Sequence, residues 1–194
     1  MKTDLSSLLA EIRACSLCSE YLPHGPRPVL QVHPSARLLI ASQAPGRKVH
    51  ATGIPFNDAS GKRLRDWLGI GEETFYDPTQ VAIVPMGFCY PGKGASGDLP
   101  PRPECAPQWR DALLAQLENI QLTVVIGRYA QACHLPEAAS LTEAVTSWGD
   151  ESATVIALPH PSPRNNLWLK RNPWFEAQAV PLLRARVRKA LDGG

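Results

Sequence analysis

The pattern that decides the fold lies in residues 37–61, whose sequence is RLLIASQAPGRKVHATGIPFNDASG. Its apolar run, Leu38–Ala41, is followed directly by turn-forming residues, which is typical of a buried parallel strand. Pro45 and Gly46 then lie at the carboxyl end of that strand. Open α/β sheets bind ligands at this edge, because the loops that join strands to helices meet there. We therefore expect the loop after Ala41 to form one wall of a functional site.

Similar apolar runs predict three further strands, and amphipathic patterns between them predict helices. The predicted strands cover residues 38–41, 81–84, 122–126 and 154–158. The predicted helices cover residues 3–15, 60–68, 107–120, 128–133, 141–145 and about 173 onward. Strands that alternate with helices indicate a three-layer α/β/α sandwich around a short, mainly parallel four-stranded sheet. We expect a single domain over residues 1–194, a length that suits one hydrophobic core.

Composition and charge narrow the class of protein. Hydrophobic residues make up 44% of the chain and charged residues 20%, as in ordinary globular proteins. No apolar run approaches the roughly 20 residues that span a bilayer, so we expect a cytoplasmic protein without membrane contact. From His160 onward there are seven Lys or Arg residues and two acidic ones. Such a basic end suits a polyanionic partner, although a solvated terminal helix would have the same composition.

Four of the five cysteines form two pairs, Cys15 with Cys18 and Cys89 with Cys105. Cytoplasmic thiols stay reduced, so this pairing favours a metal over a disulfide. Four thiolates could hold zinc or a [4Fe-4S] cluster, and the ligand set leaves both open. Independent buried thiols are the remaining interpretation. We expect Cys133, which lies among alanines on a predicted helix, to belong to the core.

Three motifs resemble the uracil-DNA glycosylase superfamily, and most closely its iron-sulfur class from bacteria and archaea. That class carries Gly-Glu-Ala-Pro-Gly, six residues, Gly-x-Pro-Phe and a small-residue turn. Here residues 42–46 (SQAPG) are followed after six residues by 53–56 (GIPF) and then by 59–61 (ASG). The class also has an early Cys-x2-Cys and a later Cys-x15-Cys, which match the two cysteine pairs. The second motif of the superfamily begins His-Pro-Ser-Pro, as residues 160–163 do here.

The resemblance implies a monomeric, monofunctional glycosylase of base-excision DNA repair. Such an enzyme binds DNA and hydrolyses the N-glycosidic bond of a flipped-out uracil or other damaged base. By resemblance, Phe56 would stack on the base, beside Ala44 of the first motif. Asn165 or Asn166 could supply an amide to the base from another direction. His160 would donate to the base carbonyl as negative charge develops.

The resemblance also suggests which residues contact DNA. Arg164 takes the position at which relatives place an intercalating side chain. Three other residues would bind the DNA phosphates on either side of the flipped nucleotide. These are Arg47, Lys48 and Ser162.

The first motif departs from the class at its catalytic position. The class has Glu where this chain has Gln43, and other relatives have Asp or Asn at the position of Ala44. Gln43 can orient a water molecule but cannot take its proton, so activation would fall to His50, Asp58 or the DNA phosphates. The Asn with which the class reads uracil is replaced by Pro85. Two alternatives are a non-catalytic lesion-binding module of the same fold and a zinc-stabilised α/β protein whose pocket binds a nucleotide or other small molecule.

Overall fold

The computed structural model describes residues 4–138, 140–146 and 153–193. Its strands are β1 Leu38–Ala41, β2 Val81–Ile83, β3 Lys93–Gly94, β4 Gly97–Asp98, β5 Leu122–Ile126 and β6 Val155–Leu158. Its helices are α1 Leu5–Arg13, α2 Arg47–Thr52, α3 Ala59–Leu68, α4 Glu72–Phe75, α5 Cys105–Leu114, α6 Arg128–His134, α7 Leu141–Thr146, α8 Asn166–Arg171 and α9 Val180–Asp192. A π-helical segment, Phe175–Ala179, runs directly into α9.

The central sheet has the strand order β2-β1-β5-β6, and all three pairings are parallel. Leu38 pairs with Val81 on one side and with Leu122 on the other. The carboxyl ends of the four strands consequently lie along one edge of the sheet. This arrangement confirms the predicted α/β fold with its four-stranded parallel sheet.

Alternate residues of the strands pack against opposite helical layers. Leu38 and Ile40 belong to a buried cluster with α3, α7 and α9, whereas Leu39 belongs to a second cluster with α1 and α5. Both faces of the sheet are therefore covered, which explains why its strands appear in the sequence as continuous apolar runs. Each buried Leu or Ile contributes about 1.5–3 kcal/mol through burial. The three-layer sandwich predicted from the sequence is confirmed.

Two segments near the carboxyl edge are more regular than predicted. The loop after β1 contains α2, whose six residues lie between Gly46 and Gly53 and bury Val49. The long loop after β2 contains the β3-β4 hairpin, in which Lys93 pairs with Asp98. Both elements are too short for the apolar periodicity that identifies helices and strands in a sequence.

The prediction that Cys133 belongs to the core is wrong, because its side chain is exposed. Helix α6 buries Ala130 and Gln131. At 3.6 residues per turn, Cys133 points roughly 110° away from the middle of that buried face.

None of the helices in the described ranges is both long enough and apolar enough to cross a membrane.

Candidate active site

A cavity of about 780 Å³ opens at the carboxyl edge of the sheet. It is walled by the loop after β1, the start of α3, the β3-β4 hairpin and the loop after β6. Its size falls within the roughly 300–1,000 Å³ of small-molecule sites. Eight residues predicted from the sequence to act in the site line it, namely Gln43, Ala44, Phe56, Asp58, His160, Ser162, Arg164 and Asn165. The turns after the first and the last strand of the sheet thus converge.

Gln43 is fixed by contacts with two neighbouring strands. Its backbone carbonyl accepts a hydrogen bond from the Gly87 amide at 2.9 Å, in the segment after β2. Its side chain lies against Gly127 at the end of β5, where a Cβ atom would be 3.1 Å from the Gln43 Cδ and Oε1 atoms. Gly127 also has a φ of +80°, which favours glycine. Gly127 therefore makes room for the Gln43 amide at the middle of the sheet edge.

Phe56 has a φ of +54°, a conformation that is costly for a side chain of this size. Three neighbours hold it there. The Tyr76 hydroxyl donates to its carbonyl at 3.4 Å, and Gly61 lies directly against the same carbonyl. The Phe75 ring makes a T-shaped contact with the Phe56 ring, with 6.0 Å between the centroids. These contacts fix both the backbone and the ring of Phe56, which forms the aromatic wall of the cavity.

His160 is neutral at neutral pH. Burial lowers the pKa of His160, and the positive charge of Arg164 lowers it further, while Asp58 and Asp98 act in the opposite direction. The Ser162 amide donates to His160 Nδ1 at 3.2 Å. The neutral ring therefore carries its proton on Nε2, which makes Nε2–H the donor that His160 can offer to a ligand.

Asn165 holds the turn that carries His160. Its side-chain amide Nδ2 donates to the His160 carbonyl at 2.8 Å. This hydrogen bond closes the turn between the two residues and stabilises the orientation of the imidazole. Asn165 also lines the cavity. Its contact with a base stays a prediction.

The structure does not bring His50 into the lining of the cavity. Its ring lies 5.8 Å from the His24 ring and 6.0 Å from the Tyr90 ring, on the inner side of α2. Its Nδ1 atom is buried without a hydrogen-bond partner. Burial lowers the pKa of His50, and the positive charges of Arg27 and His24 lower it further. The half-buried His50 imidazole therefore packs against His24 and Tyr90 rather than facing the cavity.

The predicted DNA-binding cations lie on different parts of the rim. Arg47 and Lys48 are exposed in the first turn of α2. Arg164 is exposed on the loop after β6, and its guanidinium lies over Gly97 of the hairpin, where a Cβ atom would collide with it. Arg164 therefore spans the mouth of the cavity from one wall to the other.

Sequence reasoning missed the hairpin and the start of α6 as parts of the site. Asp98 of β4, together with Arg128 and Tyr129 of α6, lines the cavity. The signal was present for the hairpin, because Gly94 and Gly97 flank a two-residue turn. Asp98 supplies the cavity with a carboxylate that the first motif lacks.

Arg110 of α5 lies beneath the site and is almost fully buried, with 2% of its surface exposed. Its Nη1 atom donates to the carbonyls of Val84 and Pro85, at 2.6 and 2.9 Å. Pro85 lines the cavity. The Arg110 Nη2 atom lies 2.9 Å from His134 Nε2, and since arginine can only donate, His134 must accept as a neutral ring. Burial and the charge of Arg110 lower the pKa of His134 to about 4.

A family model described as the uracil DNA glycosylase superfamily matches residues 30–184. The chain belongs to this superfamily. The match includes all four strands of the central sheet and the walls of the cavity. A DNA glycosylase type of role and a DNA substrate are therefore supported in general by membership of the uracil DNA glycosylase superfamily. Cys15 and Cys18 precede the match, whereas Cys89 and Cys105 lie within it.

The four paired cysteines of this superfamily member line a second pocket, between the end of α1 and the start of α5. Burial raises the pKa values of Cys89 and Cys105 to about 11, and nearby thiols add to the effect. Within the described ranges, no three His, Cys, Asp or Glu side chains are spaced to hold a metal ion. Zinc and a [4Fe-4S] cluster both accept four thiolate ligands, so the donor set by itself fits either group.

Proposed function

We propose that the protein is a monofunctional DNA glycosylase that removes uracil or another deaminated or damaged base. The observation that supports this most is the convergence of Phe56 and His160 on one cavity of nucleotide size. An aromatic ring and a hydrogen-bond donor are the groups needed to hold a base that leaves as an anion. Superfamily membership supports the same class of reaction.

In the proposed reaction, a nucleotide leaves the DNA stack and its base packs on Phe56, between Ala44 and Asn165. The N-glycosidic bond breaks and its electrons stay on the base. His160 Nε2–H donates to the base carbonyl as this negative charge develops. A preorganised donor of that kind lowers a reaction barrier by about 2.7–4 kcal/mol. Gln43 positions the water that adds to the sugar.

The proposed DNA contacts use the rim of the cavity. Arg47, Lys48 and Ser162 bind phosphates on either side of the flipped nucleotide, and Arg164 enters the vacated space in the stack. The exposure of the three cations supports this assignment. Binding through phosphates predicts affinity that falls steeply as salt concentration rises.

We further propose that Cys15, Cys18, Cys89 and Cys105 hold a [4Fe-4S] cluster. The support is their location around one pocket, together with the preference of iron-sulfur clusters for four thiolate ligands. The cluster would cross-link the end of α1 to the segments before and at the start of α5. Its contribution is structural, since the thiol pocket is separate from the cavity that contains His160.

The function is tested by incubating the protein, with iron and sulfide counted, with oligonucleotides that contain uracil, hypoxanthine or xanthine. Free base is separated by chromatography and measured. We expect release from at least one oligonucleotide, and strongly reduced release by Phe56→Ala and His160→Ala. No release from any of the three, by protein with full cluster occupancy, would refute the proposed activity.

A non-catalytic lesion-binding module is the second candidate. It is favoured by the first motif, in which neither Gln43 nor Ala44 supplies a carboxylate. This candidate predicts tight, salt-dependent binding to lesion-containing DNA without release of base. Phe56→Ala would weaken that binding.

A further inference from the structure

The β3-β4 hairpin brings a carboxylate to the catalytic side of the cavity. Asp98 lines the cavity from β4, although more than 50 residues separate it from the first motif in sequence. Its Oδ2 atom lies 3.5 Å from the position that a Cβ atom would take at Gly46. The carboxylate therefore stands directly beside the motif that contains Gln43.

Asp98 is held on one side and open to water on the other. The hydroxyl of Tyr90, a residue with 2% of its surface exposed, donates to Asp98 Oδ1 in a long hydrogen bond of 3.4 Å. Asp98 as a whole is exposed at the mouth of the cavity. Although burial and Arg164 lower the pKa of His160, the charge of Asp98 is among the groups that raise it. Asp98 and His160 thus line the same cavity, and the charge of Asp98 reaches the imidazole.

Asp58 is the other carboxylate among the described residues that line the cavity. Its Oδ1 atom accepts a hydrogen bond from the Gly61 amide at 2.8 Å and caps the N-terminus of α3. One oxygen of this carboxylate is therefore engaged in the helix cap and is not free to accept a hydrogen bond from a water at the site. Gln43 has no basic group. Asp98 is therefore the better-placed proton acceptor.

We propose that Asp98 is the general base of the reaction, an inference that rests on the proposed glycosylase function. A water oxygen forms a bond to C1′ of the sugar while the bond from C1′ to the base nitrogen breaks. The electrons of that bond leave with the base as an anion. Asp98 accepts the proton that the water gives up and then passes it to solvent, which protonates the base. No electron donor or acceptor is needed.

The test compares the wild type with Asp98→Asn, Asp58→Asn and Asp192→Asn. The substrate is whichever of the uracil, hypoxanthine and xanthine oligonucleotides the wild type cleaves fastest. Asp58→Asn retains a capping oxygen. Asp192→Asn removes the same charge at the end of α9, where the adjoining Gly193 packs on Arg37 at the opposite edge of the sheet. Maximal rate, dissociation constant for the oligonucleotide and thermal unfolding temperature are measured for each protein.

We expect Asp98→Asn to lower the maximal rate by about 100-fold, with DNA binding unchanged or tighter. Asp192→Asn should behave as the wild type. An Asp98→Asn rate within about threefold of an active wild type would overturn the role of Asp98 and leave the glycosylase function intact. Loss of DNA binding equal to the loss of rate would also overturn it. An inactive wild type would instead refute the glycosylase function itself, and the role of Asp98 with it.

Discussion

The backbone carbonyl of Phe56 lies against Gly61 in the first turn of α3, where a Cβ atom would collide with it. Phe56 itself has a φ of +54°. The position of the aromatic wall of the cavity therefore depends on a residue without a side chain. The small-residue turn after Gly-x-Pro-Phe has a physical reason, since it lets the turn fold back onto the helix.

Gly61→Ala should displace the Phe56 turn. The added methyl group meets backbone rather than a flexible side chain, so we expect a loss of about 1–3 kcal/mol in the free energy of unfolding. Base release should fall further than this loss explains, because the Phe56 ring moves. Denaturant unfolding and base release measure the two effects. Gly71→Ala is the matched control, since a Cβ atom at Gly71 meets nothing within 4 Å. Equal stability of the two variants would contradict the close contact.

His160→Gln should reduce the rate of base release by about 100- to 1,000-fold, because it removes the donor that we propose acts on the departing base. Binding to DNA with an uncleavable analogue of the lesion should change little. Rates under single-turnover conditions and binding titrations distinguish these effects. A large loss of binding with an unchanged rate would show that His160 recognises the base in its ground state instead.

Cys89→Ser should abolish the binding of iron and sulfide if the four paired thiols hold a cluster. Wild-type protein purified without oxygen should show a broad absorption band at about 400 nm, as iron-thiolate centres do. Cys133→Ser is the control, because Cys133 is exposed and does not line the thiol pocket. Elemental analysis that finds zinc in a colourless protein would replace the cluster with the zinc alternative.

Acid should destabilise the protein partly through His134. Its pKa is lowered from 6.5 to about 4 by burial and by Arg110, so the unfolded chain binds the proton more tightly than the folded protein does. The contribution of His134 to stability is complete above pH 6.5 and is lost as the pH falls to about 4.

The measurement is the free energy of unfolding of the wild type and of His134→Gln between these pH values. The difference between the two proteins should shrink as the pH falls. All other ionisable groups are the same in the two proteins, so their contributions cancel in the comparison. Parallel curves would show that His134 does not titrate with folding.

The sequence was sufficient to predict the central sheet and the two walls of the cavity that follow β1 and β6. Strands β1 and β5 have the predicted bounds because both faces of the sheet are covered, which makes their sequences continuously apolar. Phe56 and His160 follow buried strands of a parallel sheet, so the topology places both at the same edge.

The rest of the site depends on short elements without periodicity. The hairpin that contains Asp98 has two-residue strands, and it contacts Arg164 of the loop after β6 at Gly97. His50 lies six residues from the Gln43-Ala44 pair, but α2 turns it toward His24 and Tyr90. Such placements are decided by tertiary contacts that local patterns do not encode.

Helix α5 starts at Cys105 and carries Arg110 a little more than one turn further on. Because the Arg110 guanidinium is bonded to the carbonyls of Val84 and Pro85, a shift of α5 along its axis moves the floor on which a base would sit. Helix α5 therefore links the thiol pocket to the base of the cavity through Arg110, and loss of the proposed cluster would alter the proposed base site without electron transfer between the two.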